Sequence, residues 1–369
     1  MPRILITDTY YAEALDALHR THPGWRDFPY SAHLCAIMDQ MFGTADFYSS
    51  NLSALGWEAI DAITNADALQ AKWAADHRVL FGIPEPTRLE IALAQVRRAA
   101  PDVLFLQDAS LFGHATLRDL KRRGILLASQ ISCPMPPEEN VRCMDVVFTS
   151  FPHYVERLRA LGVRRVEYSP LAFDPRVLER MPQALPRDLP ITFVGGVGAD
   201  LHWRRGTATL EAVAKAYPAE FRWWGYGLER LTEESPLRAC YRGEAWGREM
   251  YSVLLRSRLV VNRHGEVAQG NANCMRLYEA TGCGACVLTE DAKNIGELFP
   301  PGSVALYEDA ESLVARIGRL IEDEPVREGY ATAGRRHTME HHTYARKMET
   351  VDRVLREELA NPARKKGAA

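Results

Sequence analysis

The sequence predicts two α/β domains, each a doubly wound parallel sheet, facing each other over a cleft. Three observations carry this. The chain has 369 residues, too many for one ordinary core and enough for two of roughly 150–200 residues each. Short apolar runs alternate with helical stretches from the first residues onward, the βαβα pattern of a parallel sheet. A polar stretch punctuated by Pro182, Pro186 and Pro190 separates one such series from a second.

In the first series, 3–7 reads as a buried strand and 12–19 as its helix. Residues 30–42 carry Leu34, Ile37, Met38 and Met41 at helical spacing, and 47–55 is a further helix stopped by Gly56. Residues 57–64 fit a strand or a helix, and the strand is favoured. Trp73 falls on the next helix as a core or interface aromatic. Helix 87–99 leads to strand 102–107, helix 115–123 to strand 124–129, and strand 145–150 to helix 154–161, capped by Gly162. Residues 166–169 close the first sheet, and the interdomain linker is expected over 176–189. The second series opens with strand 191–194, then Gly195-Gly196-Val197-Gly198, then His202, Arg204, Arg205 and a helix to Tyr217. Strand 221–224 ends in Gly225-Tyr226-Gly227, and helices follow at 246–257, 310–322, 325–340 and 344–359. Residues 362–369 read as a frayed tail. The domains are placed at 1–175 and 190–345.

Hydrophobic residues make up 47% and charged residues 25%, a soluble globular profile. A net charge of −3 gives no reason to expect a nucleic acid. No apolar run approaches the roughly 20 residues of a membrane span, and the N-terminus reads as a strand rather than a signal peptide. Seven cysteines, odd in number and scattered, argue against a disulfide framework, so a cytoplasmic location is expected. Cys283-x-x-Cys286 lacks the second Cys or His pair of a zinc site and is read as part of a helix-stop-strand pattern. The turn at 195–198 lacks the G-x-G-x-x-G spacing of a dinucleotide fingerprint, which argues against a dehydrogenase.

The most informative stretch is 262–289, NRHGEVAQGNANCMRLYEATGCGACVLT. The apolar run Leu259-Val260-Val261 ends in Asn262-Arg263-His264-Gly265, and a polar loop follows over 266–272. Asn273 is a suitable N-cap for a helix over 274–281, which Gly282 and Gly284 stop before a strand at 285–288. A polar loop at the carboxyl end of such a strand is where open α/β sheets bind ligands, and a helix N-terminus there accepts phosphate readily. Arg276 and Glu279, three apart, share a helix face. A cation for phosphate and a carboxylate for sugar hydroxyls suit a nucleotide.

Asn-Arg-His-Gly at 262–265, Asn-x-x-Arg-x-x-Glu-Ala-x-Gly at 273–282 and Leu-Thr-Glu-Asp at 288–291 resemble the donor site of GT-B glycosyltransferases. The nearest group is the one that includes the CgeB spore-maturation proteins. The match continues through Phe299-Pro300-Pro301-Gly302, the turn Tyr307-Glu308-Asp309 and His342-Thr343-Tyr344-Ala345-Arg346, and Phe173-Asp174-Pro175 resembles the segment that closes the first domain. The resemblance covers the C-terminal half well and the N-terminal half more loosely. It implies Rossmann-like domains, a final helix (346–360) crossing back to the first domain, and a nucleoside-diphosphate-sugar donor, here UDP-linked. The acceptor would be a glycan, a lipid-linked carrier or a protein. No metal or other cofactor is expected: the chain has no Asp-x-Asp, the pattern by which metal-dependent glycosyltransferases hold a divalent ion.

Within that resemblance, Arg205 and Arg276 hold the diphosphate and Glu279 the ribose hydroxyls. Asn262, His264, Asn273 and the glycine turns at Gly195, Gly196 and Gly225 complete the nucleotide-binding set; His264 either donates to a phosphate or packs under the loop. Many retaining members carry two glutamates eight apart. Glu279 matches the second, but Asn271 stands at the first, and Glu266 is the loop carboxylate available to replace it. A base for the acceptor hydroxyl is expected from the first domain. Asp8, Asp108 and His33 are the candidates, and Asp8 leads because it ends the first strand. Two other readings stay open: a nucleotide-sugar epimerase, and a non-catalytic partner that keeps the fold and binds a glycan or a protein.

Overall fold

The computed structural model describes residues 1–78, 85–198 and 204–362. The chain forms two compact units, Met1–Ser169 with Tyr344–Ala369, and Pro170–Thr343. The first runs β1 (Arg3–Asp8), α1 (Ala12–Thr21), α2 (Tyr30–Met38), α3 (Phe47–Ala54), β2 (Glu58–Ile63), α4 (Asp67–Asp76), α5 (Arg88–Ala99), β3 (Val103–Leu106), α6 (His114–Arg122), β4 (Leu126–Ile131), α7 (Glu138–Val141), β5 (Val146–Thr149), α8 (Tyr154–Ala160) and β6 (Arg165–Tyr168). Its strands are parallel, in the order β2-β1-β3-β4-β5-β6. Every residue of β3, β4 and β5 is buried. A parallel sheet covered on both faces favours near-continuous apolar runs, and β3 and the first three residues of β5 stand out in the sequence for that reason. Residues 57–64 form a strand, as favoured. The helix expected to reach residue 42 stops at Met38, and Met41 takes φ +58°.

The second unit runs α9 (Arg176–Arg180), β7 (Leu189–Val194), α10 (Arg204–Ala216), β8 (Phe221–Trp224), α11 (Leu237–Cys240), α12 (Arg248–Arg256), β9 (Ser257–Asn262), α13 (Met275–Gly282), β10 (Cys286–Glu290), α14 (Ile295–Leu298), β11 (Ala305–Tyr307), α15 (Ala310–Glu322) and α16 (Glu324–His341). Its parallel strands lie in the order β11-β10-β9-β7-β8. Phe193, Trp223, Val261, Leu288 and Leu313 are buried together in its core. Side chains set the helix starts. Asp309 and Ser312 form a capping box on α15, and Asp323 caps α16; each such cap contributes about 1 kcal/mol.

The last helix, α17 (Tyr344–Ala360), belongs to the first unit. It packs on α3: Tyr344 meets Phe47 and Tyr48, and Trp57 Nε1 donates to Asp352 at 2.6 Å. The division falls after Ser169 and after Thr343, earlier than the expected boundaries at 175 and 345, and the expected linker at 176–189 lies inside the second unit. Phe173 explains the shift. Its N–H donates to the His342 carbonyl (2.9 Å), and a Cβ added at Gly282 would lie 2.4 Å from its ring. His202 and the tail beyond Pro362 lie outside the described residues.

Candidate functional site

The second sheet reverses its winding between β7 and β9, and ligands of open α/β sheets bind outside the carboxyl ends of the strands at such a point. There β7 ends in Gly195-Gly196 and β8 in Gly225-Tyr226-Gly227. The two turns interlock: Gly195 N–H donates to the Trp224 carbonyl and Val197 N–H to that of Tyr226, both at 3.0 Å. Gly225 has φ +153° and Gly227 φ +98°, and a Cβ on either would lie 2.0 Å from the carbonyl oxygen of Gly195 or Val197. Only glycine permits that approach. Gly225, expected as a nucleotide contact, is required to be glycine by the backbone of Gly195.

Arg263, which follows β9, ties this region together. It is 8% exposed, its Nη2 donates to the Gly196 carbonyl at 2.7 Å, and its guanidinium sits over the Phe193 ring. A Cβ at Gly206 would lie 2.2 Å from its Nη1, so glycine in the first turn of α10 lets the guanidinium cross that helix end. Burial lowers its pKa, yet a guanidinium stays charged. A pocket of about 90 Å³ is lined by Arg205, Arg263, His264, Glu266, Glu290 and Tyr307, with Gly206 and Thr209 of α10 in its wall. At ~30 Å³ per liquid water, that is room for about three waters, a space on the scale of one phosphate group. The Arg205 side chain is 73% exposed and pairs with Glu290 at 3.4 Å. Exposed pairs contribute only about 0–1 kcal/mol, so an incoming anion competes for this guanidinium at low cost.

His264 is held on both sides. Its Nδ1 accepts the Asn273 N–H (3.3 Å), so in the neutral ring Nε2 carries the proton and faces Thr289 Oγ1 at 3.1 Å. Burial pushes its pKa down to about 4. Asn262 Nδ2 donates to the same Thr289 hydroxyl (2.9 Å), and the Asn262 carbonyl accepts from Tyr307 (2.8 Å). Both ring nitrogens of His264 are thus engaged within the chain, and the residue lines the pocket. Asn273 is not the N-cap: α13 begins at Met275, and Cys274 precedes it in extended backbone with no side-chain cap bond. The Asn273 backbone N–H instead donates to His264. Asn271 is buried, its Nδ2 donating to Ala268 O at 2.9 Å.

Arg276 and Glu279 share a face of α13, as their spacing predicts, and there they meet each other. Arg276 Nη1 lies 2.6 Å from Glu279 Oε2, its Nε donates to Val194 O at 3.2 Å, and it touches Met250. Glu279 is 4% exposed, and its Oε1 accepts from Tyr251 at 3.3 Å. Glu266 is exposed and lines the pocket with Arg205.

In the first unit the winding reverses between β1 and β3, and two of the three expected bases lie there. Asp8 accepts from Thr44 Oγ1 and from the Thr9 N–H, both at 2.8 Å. Thr9 Oγ1 reaches Asp108 at 3.4 Å. Burial pushes the Asp8 pKa up to about 6, the Thr44 and Thr9 bonds opposing it. His33 is elsewhere, fully buried on α2, with one ring nitrogen 3.1 Å from His19 and the other 3.0 Å from Lys72 Nζ. Burial, Lys72 and His19 push its pKa down to about 4, which makes it a weak base.

Arg263, Glu290, Tyr307 and Thr289 were not singled out by sequence reasoning, although all four lie inside the motifs given above. What hid them is distance along the chain: Arg263 acts through Gly196 and Gly206. Cys283 and Cys286 are buried free thiols, and burial pushes the Cys286 pKa up to about 12. Among the described residues, no group of three His, Cys, Asp or Glu side chains is placed to hold a metal ion.

Residues 204–353 match the family model described as glycosyl transferase-like. The chain is similar to HepE from Anabaena, solved in complex with UDP and glucose, with a TM-score of 0.63 at 11% identity over 97% of this chain and 100% of that one. Sucrose-phosphate synthase from Thermosynechococcus elongatus gives a TM-score of 0.62 at 13% identity over 98% and 100%. UDP-GlcNAc 2-epimerase from Neisseria meningitidis gives 0.54 at 12% over 96% and 100%. Sequence comparison with curated proteins finds no match. Two parallel-sheet units and these likenesses make the fold GT-B. The match is to a glycosyl transferase-like model and does not single out the CgeB-like group.

Proposed function

We propose that this chain transfers a sugar from a nucleoside-diphosphate sugar, UDP-linked, to a glycan, a lipid-linked carrier or a protein, without a metal ion. One observation carries the reading: a phosphate-sized pocket at the β7–β9 switch point, between two guanidiniums and the N-terminus of the 13-residue helix α10. As the glycosidic bond breaks, negative charge grows on the leaving diphosphate. The fixed charge of Arg263 and the α10 N–H groups would meet that charge already in place, and Arg205 would join them on leaving Glu290. The match to a glycosyl transferase-like family and the likeness to a protein solved with UDP and glucose support the same chemistry. Glu279 is the ribose ligand in this reading: an ionised carboxylate offers about four acceptor positions, and Arg276 and Tyr251 use two. Asp8 is the base for the acceptor hydroxyl if the anomeric centre inverts, and Glu266 supplies the loop carboxylate that Asn271 does not. A cytoplasmic location belongs to the reading, and no described helix is long and apolar enough to cross a membrane.

Thermal unfolding in the presence of UDP, GDP, dTDP and CDP tests the proposal. A ligand at 100 times its dissociation constant stabilises by about 2.7 kcal/mol, so UDP should raise the midpoint most; no shift with any nucleotide overturns the reading. A slow hydrolysis of UDP-sugars without acceptor, unaffected by EDTA, is expected from a metal-independent transferase. Asn271 in place of the first glutamate favours a second reading, a non-catalytic binding partner. UDP binding with no hydrolysis of any UDP-sugar would select it.

A further inference from the structure

We infer that Tyr226 and Trp246 form the surface on which the nucleobase of the donor stacks, an inference that rests on the donor reading above. The two rings are stacked on each other, 11° apart in plane with centroids 5.9 Å apart, and both are half-buried. They stand on loops with little freedom. Tyr226 is flanked by Gly225 and Gly227, whose backbones press on the carbonyls of Gly195 and Val197. Gly225 N–H donates to Gly243 O at 3.0 Å, bringing the loop that carries Trp246 to the same place. The Trp246 indole N–H donates to Glu244 Oε2 at 2.9 Å, which fixes the ring's orientation.

Gly196 joins this pair to the phosphate-sized pocket. A Cβ on Gly196 would lie 2.6 Å from the Tyr226 ring, while the Gly196 carbonyl accepts from Arg263. One residue thus separates a rigid aromatic face from a buried guanidinium, at the sheet edge where ligands bind. A nucleoside diphosphate has a flat aromatic ring at one end and phosphates at the other, matching that sequence of surfaces. Stacking uses the π-face that every base has, so the pair sets affinity, and the choice of base lies with other groups.

The test is titration of UDP, uridine and pyrophosphate into wild type and the variants Tyr226→Ala, Trp246→Ala, Tyr226→Phe and Trp246→Phe, with unfolding midpoints recorded for each. Base–aromatic stacking converts to roughly 5- to 140-fold in affinity per ring removed. Both alanine variants should weaken UDP and uridine by the same factor within that range and leave pyrophosphate unchanged, and the phenylalanine variants should recover most of the loss. Unchanged UDP affinity in the alanine variants overturns the inference and leaves the donor reading standing. Equal loss of all three ligands also overturns it, because the turn itself has then collapsed. A wild type that binds neither UDP nor uridine removes the donor reading and the inference with it.

Discussion

At the scale of single residues, the Arg276–Glu279 pair is where chemistry and structure compete for the same atoms. The i,i+3 spacing is visible in the sequence; Tyr251, 28 residues earlier, is not, so the carboxylate's prior commitments could not be read. Glu279→Gln keeps the shape and one acceptor while removing the charge. It should lower UDP affinity by less than the roughly 1.5–3 kcal/mol expected of Glu279→Ala and shrink the preference for UDP over dUDP, since a site built for a hydroxyl rejects the analogue lacking it. Calorimetric titration of both nucleotides decides. A preference equal to that of wild type would leave Glu279 as an anchor for Arg276 alone. Asp8 makes a separate prediction. A base works ionised, and its pKa stands at about 6 because of burial. With the predicted acceptor chemistry, kcat/KM should therefore rise as pH climbs through about 6 and level off above it, and Asp8→Asn should lose that limb. A flat profile from pH 5 to 7 in wild type would exclude Asp8 as the base.

At the scale of elements, the fold was largely legible and the site less so, for different reasons. A strand such as β3 is apolar throughout because both sheet faces are covered, and that signal is local. β11 has three residues, too few to stand out from the turn that contains it. α13 starts after Cys274, with no side-chain cap bond, so N-cap preference alone could not place its first residue. The glycine turns were visible as glycines, but their reason is a backbone approach between loops some thirty residues apart. That reason is testable. Gly225→Ala puts a Cβ 2.0 Å from Gly195 O at φ +153° and should cost at least about 1–3 kcal/mol in urea unfolding. Gly329→Ala, in α16 with nothing within 4 Å of the new methyl, should gain about 0.5–1 kcal/mol. Equal effects from the two would contradict the packing described for the β7 and β8 turns.

At the scale of the whole molecule, the first unit is built from two separate stretches of chain, and Lys347 of α17 joins them by donating to the Ser169 hydroxyl at 2.7 Å. Burial pushes its pKa down to about 7. The unfolded chain holds that proton up to about 10.5, so the folded state binds fewer protons above pH 7 and stability rises with pH there. Between pH 7 and 8.5 the slope should approach the order of 1.4 kcal/mol per unit, and Lys347→Met should flatten it in urea unfolding. The central claim concerns the second unit: its β7–β9 switch point holds the diphosphate of a nucleotide. Calorimetric titration of UDP and uridine into wild type and Arg205→Ala tests that claim most directly. The predicted result is UDP binding by wild type, a loss of about 1.5–3 kcal/mol in Arg205→Ala, and uridine affinity unchanged. Equal losses for UDP and uridine, or no UDP binding by wild type, would contradict it.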